Sequence, residues 1–331
     1  MSLDPSPVQP PAGLIVTLTA NPSFDRTVAL SGPLERGAVH RVAQMTSQAG
    51  GKGVNISRAA VGAGLATIAV LPALPDDPFV HELASAGIDC RTSRPAGDIR
   101  VNLTLTEPDG TTTKFNGPGA AVDAARLDDL AETLVRSAAG GSWSVLAGSL
   151  PPGAPIEYYA DLVARLRGVS QVAVDTSEGP LAALVDRFPE AAPDLLKPNA
   201  EELASITGTD ADQLENDPGV AAKAARILVD RGVGAVLATL GGRGAVLVDA
   251  EGAWYAPAPP TVVVSTVGAG DCTLFGYLLA ELRGLQARDR LALAVAYGSA
   301  AAGVPGTTIP RSSDLHPERV DVHALALSES A

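Results

Sequence analysis

The stretch Ser265-Thr266-Val267-Gly268-Ala269-Gly270-Asp271 decides how this chain is read. It follows an apolar run, Val262-Val263-Val264, that predicts a strand, and it precedes Cys272 to Arg283, which predicts a helix. A glycine-rich turn that opens a helix exposes several backbone N–H groups with no intrahelical partner. Together with the helix dipole they make a site for negative charge. Asp271 adds a second device at the same turn, a carboxylate that can accept a proton where an anion would be held. An anion cradle beside a base is what phosphoryl transfer to an alcohol requires.

Outward from this turn, strand-like and helical runs alternate. Strands are predicted at Leu14 to Leu18, Thr67 to Leu71, Val145 to Ala147, Val172 to Val174, Leu195-Leu196, Ala235 to Ala238 and Ala245 to Val248. Helices are predicted at Gly53 to Ala63, Phe79 to Ala86, Leu127 to Ala138, Ile156 to Arg167, Ala221 to Arg231 and Leu291 to Ala302. The alternation implies an α/β fold, a mostly parallel sheet covered by helices on both faces. Two stretches break the pattern. Thr27 to Met45 carries β-type residues and turn glycines, and Val101 to Phe115 reads as a hairpin around Pro108-Asp109-Gly110. They are expected to pair as a small antiparallel sheet, a lid drawn from about 26–46 and 100–116. The proline-rich stretch 1–13 reads as a loose leader without the features of a signal peptide, and 14–331 as a single domain.

The bulk numbers narrow the partners. Of 331 residues, 46% are hydrophobic and 18% charged, which suffices for a sizeable core. A net charge of −13 argues against nucleic acid, and no apolar run reaches membrane-spanning length. Two cysteines, Cys90 and Cys272, offer no disulfide framework and suit a reducing, cytoplasmic setting. His40, His81, His316 and His323 lack metal-ligand spacing, and no GxSxG elbow gives Ser149 an acyl-transfer role.

Further motifs sit after predicted strands, where parallel sheets bind ligands. Asn21-Pro22-Ser23-Phe24-Asp25 puts Asp25 in reach of substrate hydroxyls, or is an Asx-type turn. Gly50-Gly51-Lys52-Gly53-Val54-Asn55 opens a helix, with Lys52 as a point charge or a solvated turn lysine; it lacks P-loop spacing. Arg100, with Asn102 on the same face, could clamp a phosphate or simply be solvated. Gly148-Ser149-Leu150-Pro151-Pro152-Gly153 is a rigid loop after a strand, either a ligand edge or a plain connection. In Lys197-Pro198-Asn199-Ala200-Glu201-Glu202, Asn199 and Glu202 lie one turn apart. Glu202 could accept from waters around Mg²⁺, or the pair could form a capping box, and both can hold at once. Thr239-Leu240-Gly241-Gly242-Arg243-Gly244 is a tight turn between strands.

Taken in order, these motifs resemble the ribokinase-like sugar kinases, the PfkB family, from about Leu14 to about Pro310. Thr19 to Asp25, Arg100-Val101-Asn102 and Gly148 to Gly153 are most similar to its hexose-phosphate branch, above all the 1-phosphofructokinases, with tagatose-6-phosphate kinases and minor 6-phosphofructokinases near by. The resemblance implies a three-layer α/β/α sandwich with a β-sheet lid that often forms a homodimer. It also implies ATP-dependent phosphorylation of a ketohexose phosphate, first of all fructose 1-phosphate to fructose 1,6-bisphosphate. It makes Asp271 the base and lines the anion hole with Gly268, Ala269 and Gly270. Asp25, Gly51, Lys52, Asn55, Arg100, Asn102 and Ser149 would form the sugar-phosphate site. Lys197, Asn199, Glu202, Thr239, Gly241, Gly242 and Gly244 would serve ATP and Mg²⁺, with Glu202 reaching the ion through water.

The chain departs from the family pattern in three places. Leu71 to Phe79 is rich in proline and aspartate where relatives are glycine-rich. Gly117 replaces a common acidic residue. Cys272 stands for a small serine; a thiol at a helix start can have a lowered pKa, which leaves open whether it is reactive or merely a serine substitute. Other readings remain: a kinase for an unphosphorylated sugar or nucleoside, and a sugar-phosphate sensor without turnover. A dinucleotide oxidoreductase is disfavoured, since no GxGxxG follows the first strand.

Overall fold

The computed structural model describes residues 13–327, so all of the expected leader except Gly13 lies outside the described residues. The chain begins with β1 (Leu14–Leu18), β2 (Ser23–Leu30) and β3 (Val42–Gly50), then α1 (Lys52–Gly62), β4 (Ala66–Pro72), α2 (Pro78–Ser85) and β5 (Asp89–Ser93). The hairpin β6 (Arg100–Thr106) and β7 (Thr112–Asn116) leads to α3 (Ala124–Ala138), β8 (Trp143–Ala147), α4 (Tyr158–Leu166) and β9 (Gln171–Asp175). Next come α5 (Glu178–Asp186), β10 (Leu195–Leu196), α6 (Ala200–Thr207), α7 (Ala211–Asn216) and α8 (Pro218–Asp230). The last elements are β11 (Ala235–Thr239), β12 (Ala245–Asp249), β13 (Ala253–Ala256), α9 (Ala269–Leu282), α10 (Ala287–Ala302) and β14 (His323–Ala324).

Ten strands form the main sheet in the order β14-β13-β12-β11-β10-β9-β8-β1-β4-β5. From β11 to β5 all pairs are parallel, while β12, β13 and β14 add an antiparallel edge. Strand alternation explains the three layers. Val16, Leu146, Val172, Val174 and Val236 face one core with α3, α4 and α8. Their chain neighbours Ile15, Val145, Ala173 and Leu237 face the other, with α1, α9 and α10. β1 lies between β4 and β8, so consecutive segments run to opposite sides of it, and a crevice opens at the strands' carboxyl ends.

The smaller sheet has the order β3-β2-β6-β7. Its outer pairs are antiparallel as expected, but the central β2/β6 pair is parallel, because the main-sheet elements β4, α2 and β5 intervene between them. It also reaches further than 26–46, since Ser23 pairs with Gly50 at its root. The β6/β7 turn is where the sequence put it, with Gly110 N–H donating to the Glu107 carbonyl at 3.0 Å. Register places Asp25, Gln48, Asn102 and Asn116 on one polar face, and Val28, Met45, Leu103, Leu105 and Phe115 on the other. The apolar face is anchored where Phe24 packs edge-on against Phe79 of α2, ring centroids 5.3 Å apart. Its outer part is uncovered, with Met45 58% and Phe115 54% exposed.

Val262-Val263-Val264 is not a strand. Pro257, Pro259 and Pro260 just before it supply no N–H donors, and the valines find no partner strand. Val264 and Ser265 donate instead to the Ala302 carbonyl at the end of α10, at 2.8 and 3.2 Å, and Val262 is 86% exposed. Among the described residues no helix is long and apolar enough to cross a membrane.

Candidate active site

A cleft of about 830 Å³ lies at the carboxyl end of the parallel strands, between the main sheet and the polar face of the smaller one. All the site residues expected from the sequence line it: Asp25, Gly51, Lys52, Asn55, Arg100, Asn102, Ser149, Lys197, Asn199, Glu202, Thr239, Gly241, Gly242, Gly244, Gly268, Ala269, Gly270 and Asp271.

The 265–271 turn forms the deep end. Helix α9 begins at Ala269 with Gly268 as N-cap, at φ 79, a left-handed conformation that glycine adopts without the Cβ penalty. The N–H groups of Gly268, Gly270 and Asp271 meet no acceptor among the described residues. Asp271 is 6% exposed. Its Oδ2 accepts from Asn55 Nδ2 at 2.8 Å, and its Oδ1 accepts no side-chain hydrogen bond among the described residues. Burial, and after it the charge of Asp175, raises the Asp271 carboxyl to about 6 against the pull of Lys52, Asn55 and Lys197.

Asp175, the last residue of β9, is fully buried and went unnoticed in the sequence. Lys52 Nζ lies 2.7 Å from its Oδ1, and Lys197 Nζ lies 3.1 Å from its Oδ2. Burial alone would raise the Asp175 carboxyl, but the two ammonium groups outweigh it and hold it low. The Lys52 ammonium is likewise desolvated, yet Asp175 and Asp271 hold its pKa above the ordinary lysine value. Two cations and two carboxylates thus converge beside the free amides of the turn. The local signal was an aspartate ending the buried run Val172-Ala173-Val174; what it meets comes from α1 and the segment after β10.

The other end of the cleft is built on the smaller sheet. Asp25 sits on β2, within a strand rather than an Asx turn. Its Oδ1 accepts from Ser23 Oγ at 2.8 Å and from Asn102 Nδ2 at 3.0 Å. Gly50 makes room for it: a Cβ there would lie 2.2 Å from Asp25 Oδ2. Arg100 donates to the carbonyls of Asn21 and Gly117 at 3.2 and 2.9 Å, and its Nη2 lies 3.5 Å from Ser149 Oγ. A side chain at position 117 would bring its Cβ to 2.8 Å from the Val101 carbonyl oxygen, which accounts for the glycine there.

Asn199 and Glu202 form both halves of a capping box, at 2.8 and 2.9 Å, while also lining the cleft. Gly241 to Arg243 is a single 3₁₀ turn between β11 and β12. A Cβ on Gly242 would meet nothing within 4 Å, so this wall is open. Ala258, Pro259, Val295 and Ala302, absent from the sequence-based set, also line the cleft with small apolar surfaces. The segment 71–79 does not line the cleft; its Asp77 accepts from Phe79 N–H at 2.8 Å and starts α2. For Cys272, the burial of the side chain argues against a reactive thiol. It is 2% exposed, and burial, followed by the charge of Asp271, pushes its thiol up to about 12.

Residues 18–314 match the profile of the pfkB family carbohydrate kinases. The chain belongs to this family. It is 38% identical over 301 residues to a 1-phosphofructokinase of Rhodobacter capsulatus, covering 89% of this chain and 92% of the relative. Among solved structures it is similar to phosphofructokinase-2 from Escherichia coli in complex with potassium, with a TM-score of 0.84 and 28% identity over 93% of this chain and 98% of the other. A ribokinase from Arabidopsis thaliana shares the fold at TM-score 0.65 and 18% identity, over 92% of this chain and 97% of the other. The fold is therefore ribokinase-like, and family membership implies the use of ATP.

The residues present can be tested against a metal ion. No group of three or more His, Cys, Asp or Glu side chains that could hold one stands together among the described residues. One oxygen of Glu202 is committed to the Asn199 N–H. This donor set does not suit an all-protein cage; it suits Mg²⁺ held through water and phosphate oxygens.

Proposed function

We propose that the chain phosphorylates fructose 1-phosphate at its 6-hydroxyl with ATP, giving fructose 1,6-bisphosphate and ADP. The observation that carries this reading is the pairing, in one cleft, of a buried carboxylate at a free-amide turn with an arginine-serine site at the other end. The similarity to a curated 1-phosphofructokinase supports the choice of sugar.

Arg100, with Ser149 beside it, holds the phosphate that the sugar already carries. Asp25, fixed by Ser23 and Asn102, accepts from sugar hydroxyls. The acceptor hydroxyl then lies against Asp271. Asp271 Oδ1 takes the hydroxyl proton as the oxygen bonds to the γ-phosphorus, and the bond from that phosphorus to the β–γ bridging oxygen breaks. The N–H groups of Gly268, Gly270 and Asp271 hold the developing negative charge. Lys52 and Lys197, tied to Asp175, are placed to meet the transferred group. Thr239, Gly241, Gly242 and Gly244 with the small apolar residues opposite form the nucleotide wall. Asn199 and Glu202 would hold Mg²⁺ through water, and the ion would supply neutralisation of the ATP phosphate charge.

The smaller sheet is read as a lid over the sugar, and its uncovered apolar face as the contact of a homodimer. Cysteine usage favours the cytoplasm. A coupled ADP-release assay tests the activity. Release that depends on fructose 1-phosphate, and not on fructose, is expected. Arg100→Ala should raise the KM for fructose 1-phosphate at least about tenfold, as loss of a charged phosphate contact does. An unchanged KM would favour an unphosphorylated acceptor instead.

A further inference from the structure

The smaller sheet is fixed to the main body mainly along one side. Arg100 bonds to Asn21 and Gly117, and Arg58 on α1 donates to the Ala49 carbonyl at 3.0 Å and to Glu82 at 2.8 Å. On the side of the 265–271 turn there is a further tie: Thr307 Oγ1 donates to Gln48 Oε1 at 3.1 Å, joining positions 259 residues apart. Among the described residues it is the only side-chain hydrogen bond from that sheet to residues 257–310, the part of the chain that holds the 265–271 turn and the segment after α10 that packs against it.

Both ends of this tie sit beside the chemistry. Gln48 is directly opposite Asp25 in the β2/β3 register, so the two side chains leave the same face of the sheet. Thr307 lines the cleft, and its Cα lies 3.7 Å from where a Cβ on Gly268 would stand. The bond therefore spans from the strand pair bearing Asp25 to a residue packed against the turn bearing Asp271. The Arg58 bond to Ala49 holds the root of the sheet on the side of α1, and the Thr307 bond at the neighbouring Gln48 holds it on the side of the 265–271 turn, so the second hold limits how far the root shifts relative to that turn. Phosphoryl transfer is sensitive to such drift, since about 1 Å of misplacement can cost on the order of 10²-fold in rate.

We infer that Gln48 and Thr307 are positioning residues whose hydrogen bond sets the distance between the sugar-facing sheet and the phosphoryl-transfer turn. Neither takes part in the chemistry, and the inference rests on the kinase reading of the cleft for its effect on rate.

The test combines amide hydrogen exchange over residues 44–50 with kcat/KM for fructose 1-phosphate in Thr307→Val, Thr307→Ser, Gln48→Met and the Val/Met double variant. Thr307→Val is expected to speed exchange in β3 and to lower kcat/KM about 5–20-fold, well inside the misplacement limit. Thr307→Ser should restore both, and the double variant should be no worse than the weaker single, as coupled residues behave. Normal exchange and normal kcat/KM in Thr307→Val would overturn the inference. So would equal impairment of the serine variant with a lowered Tm, or single losses that multiply in the double. Should the unaltered protein release no ADP with fructose 1-phosphate, the proposed activity fails, while the exchange arm still decides whether the tie holds the sheet.

Discussion

The two walls of the cleft are built differently. At the main-sheet wall, Asp175, Lys197 and Asp271 are all buried, set on the ends of β9, β10 and the first turn of α9, with packed cores on both sides. At the smaller sheet, Asp25 and Asn102 stand on strands whose other face leaves Met45 and Phe115 largely exposed. The first wall gives strong, unscreened electrostatics on a rigid base, which suits the bond-making step. The second is thin and tied at few points, which suits a surface that must admit and release a sugar.

The largest expected effect breaks the rigid wall. Asp271→Asn should lower kcat at least about 10²-fold, the scale of a lost general base. Its effect on stability should have the opposite sign. The folded carboxyl titrates at about 6 against an ordinary value of 3.8, so its contribution to stability is complete below about pH 4 and is lost as pH rises through 6. At pH 8 the asparagine variant should therefore melt no lower than the parent, and a thermal scan at pH 5 and pH 8 checks this. A marked fall in Tm at pH 8 would mean that the charged carboxylate is a structural support.

The same group sets a smaller effect. As the proposed base Asp271 must be ionised, so kcat/KM should rise with pH through about 6 and level off above it. At pH 5 it should be roughly tenfold below its plateau. Asp175→Asn, which removes the neighbouring negative charge, should move that inflection to lower pH; a pH–rate profile of each protein reads it.

On the thin wall, Phe115→Glu should leave kcat within about threefold, because the side chain is on the face away from Asp25, and should break the proposed homodimer, read as a fall to monomer in sedimentation. A dimer that persists would remove that face as the contact. The smallest effect is expected at the hidden thiol. Cys272→Ser should keep activity within about twofold, and Cys272 itself should resist thiol reagents until the protein unfolds, as mass spectrometry of labelled peptides distinguishes it from the half-buried Cys90, since burial keeps its thiol protonated.

The contrast between the walls also explains what was legible in the sequence. The rigid wall announced itself locally: a glycine turn before a helix, a lysine after a strand, an asparagine three residues before a glutamate. Each is a short-range device with its own composition. Asp175 escaped because its meaning depends on lysines 123 residues before it and 22 after it along the chain. The smaller sheet was legible as two irregular stretches. Its parallel central pair was not, because that follows from the path of the main sheet between them. The valine run at 262–264 misled because β-propensity counts only where a neighbouring strand exists.

The most direct measurement is kcat/KM for fructose 1-phosphate, fructose 6-phosphate and tagatose 6-phosphate side by side with Mg-ATP. The expected result is a clear preference, at least about tenfold, for fructose 1-phosphate, because a site built to bind one phosphate position leaves charged groups unpaired with the others. Equal values, or a preference for a 6-phosphate, would contradict the assignment of Arg100 and Ser149 to the 1-phosphate end of the sugar.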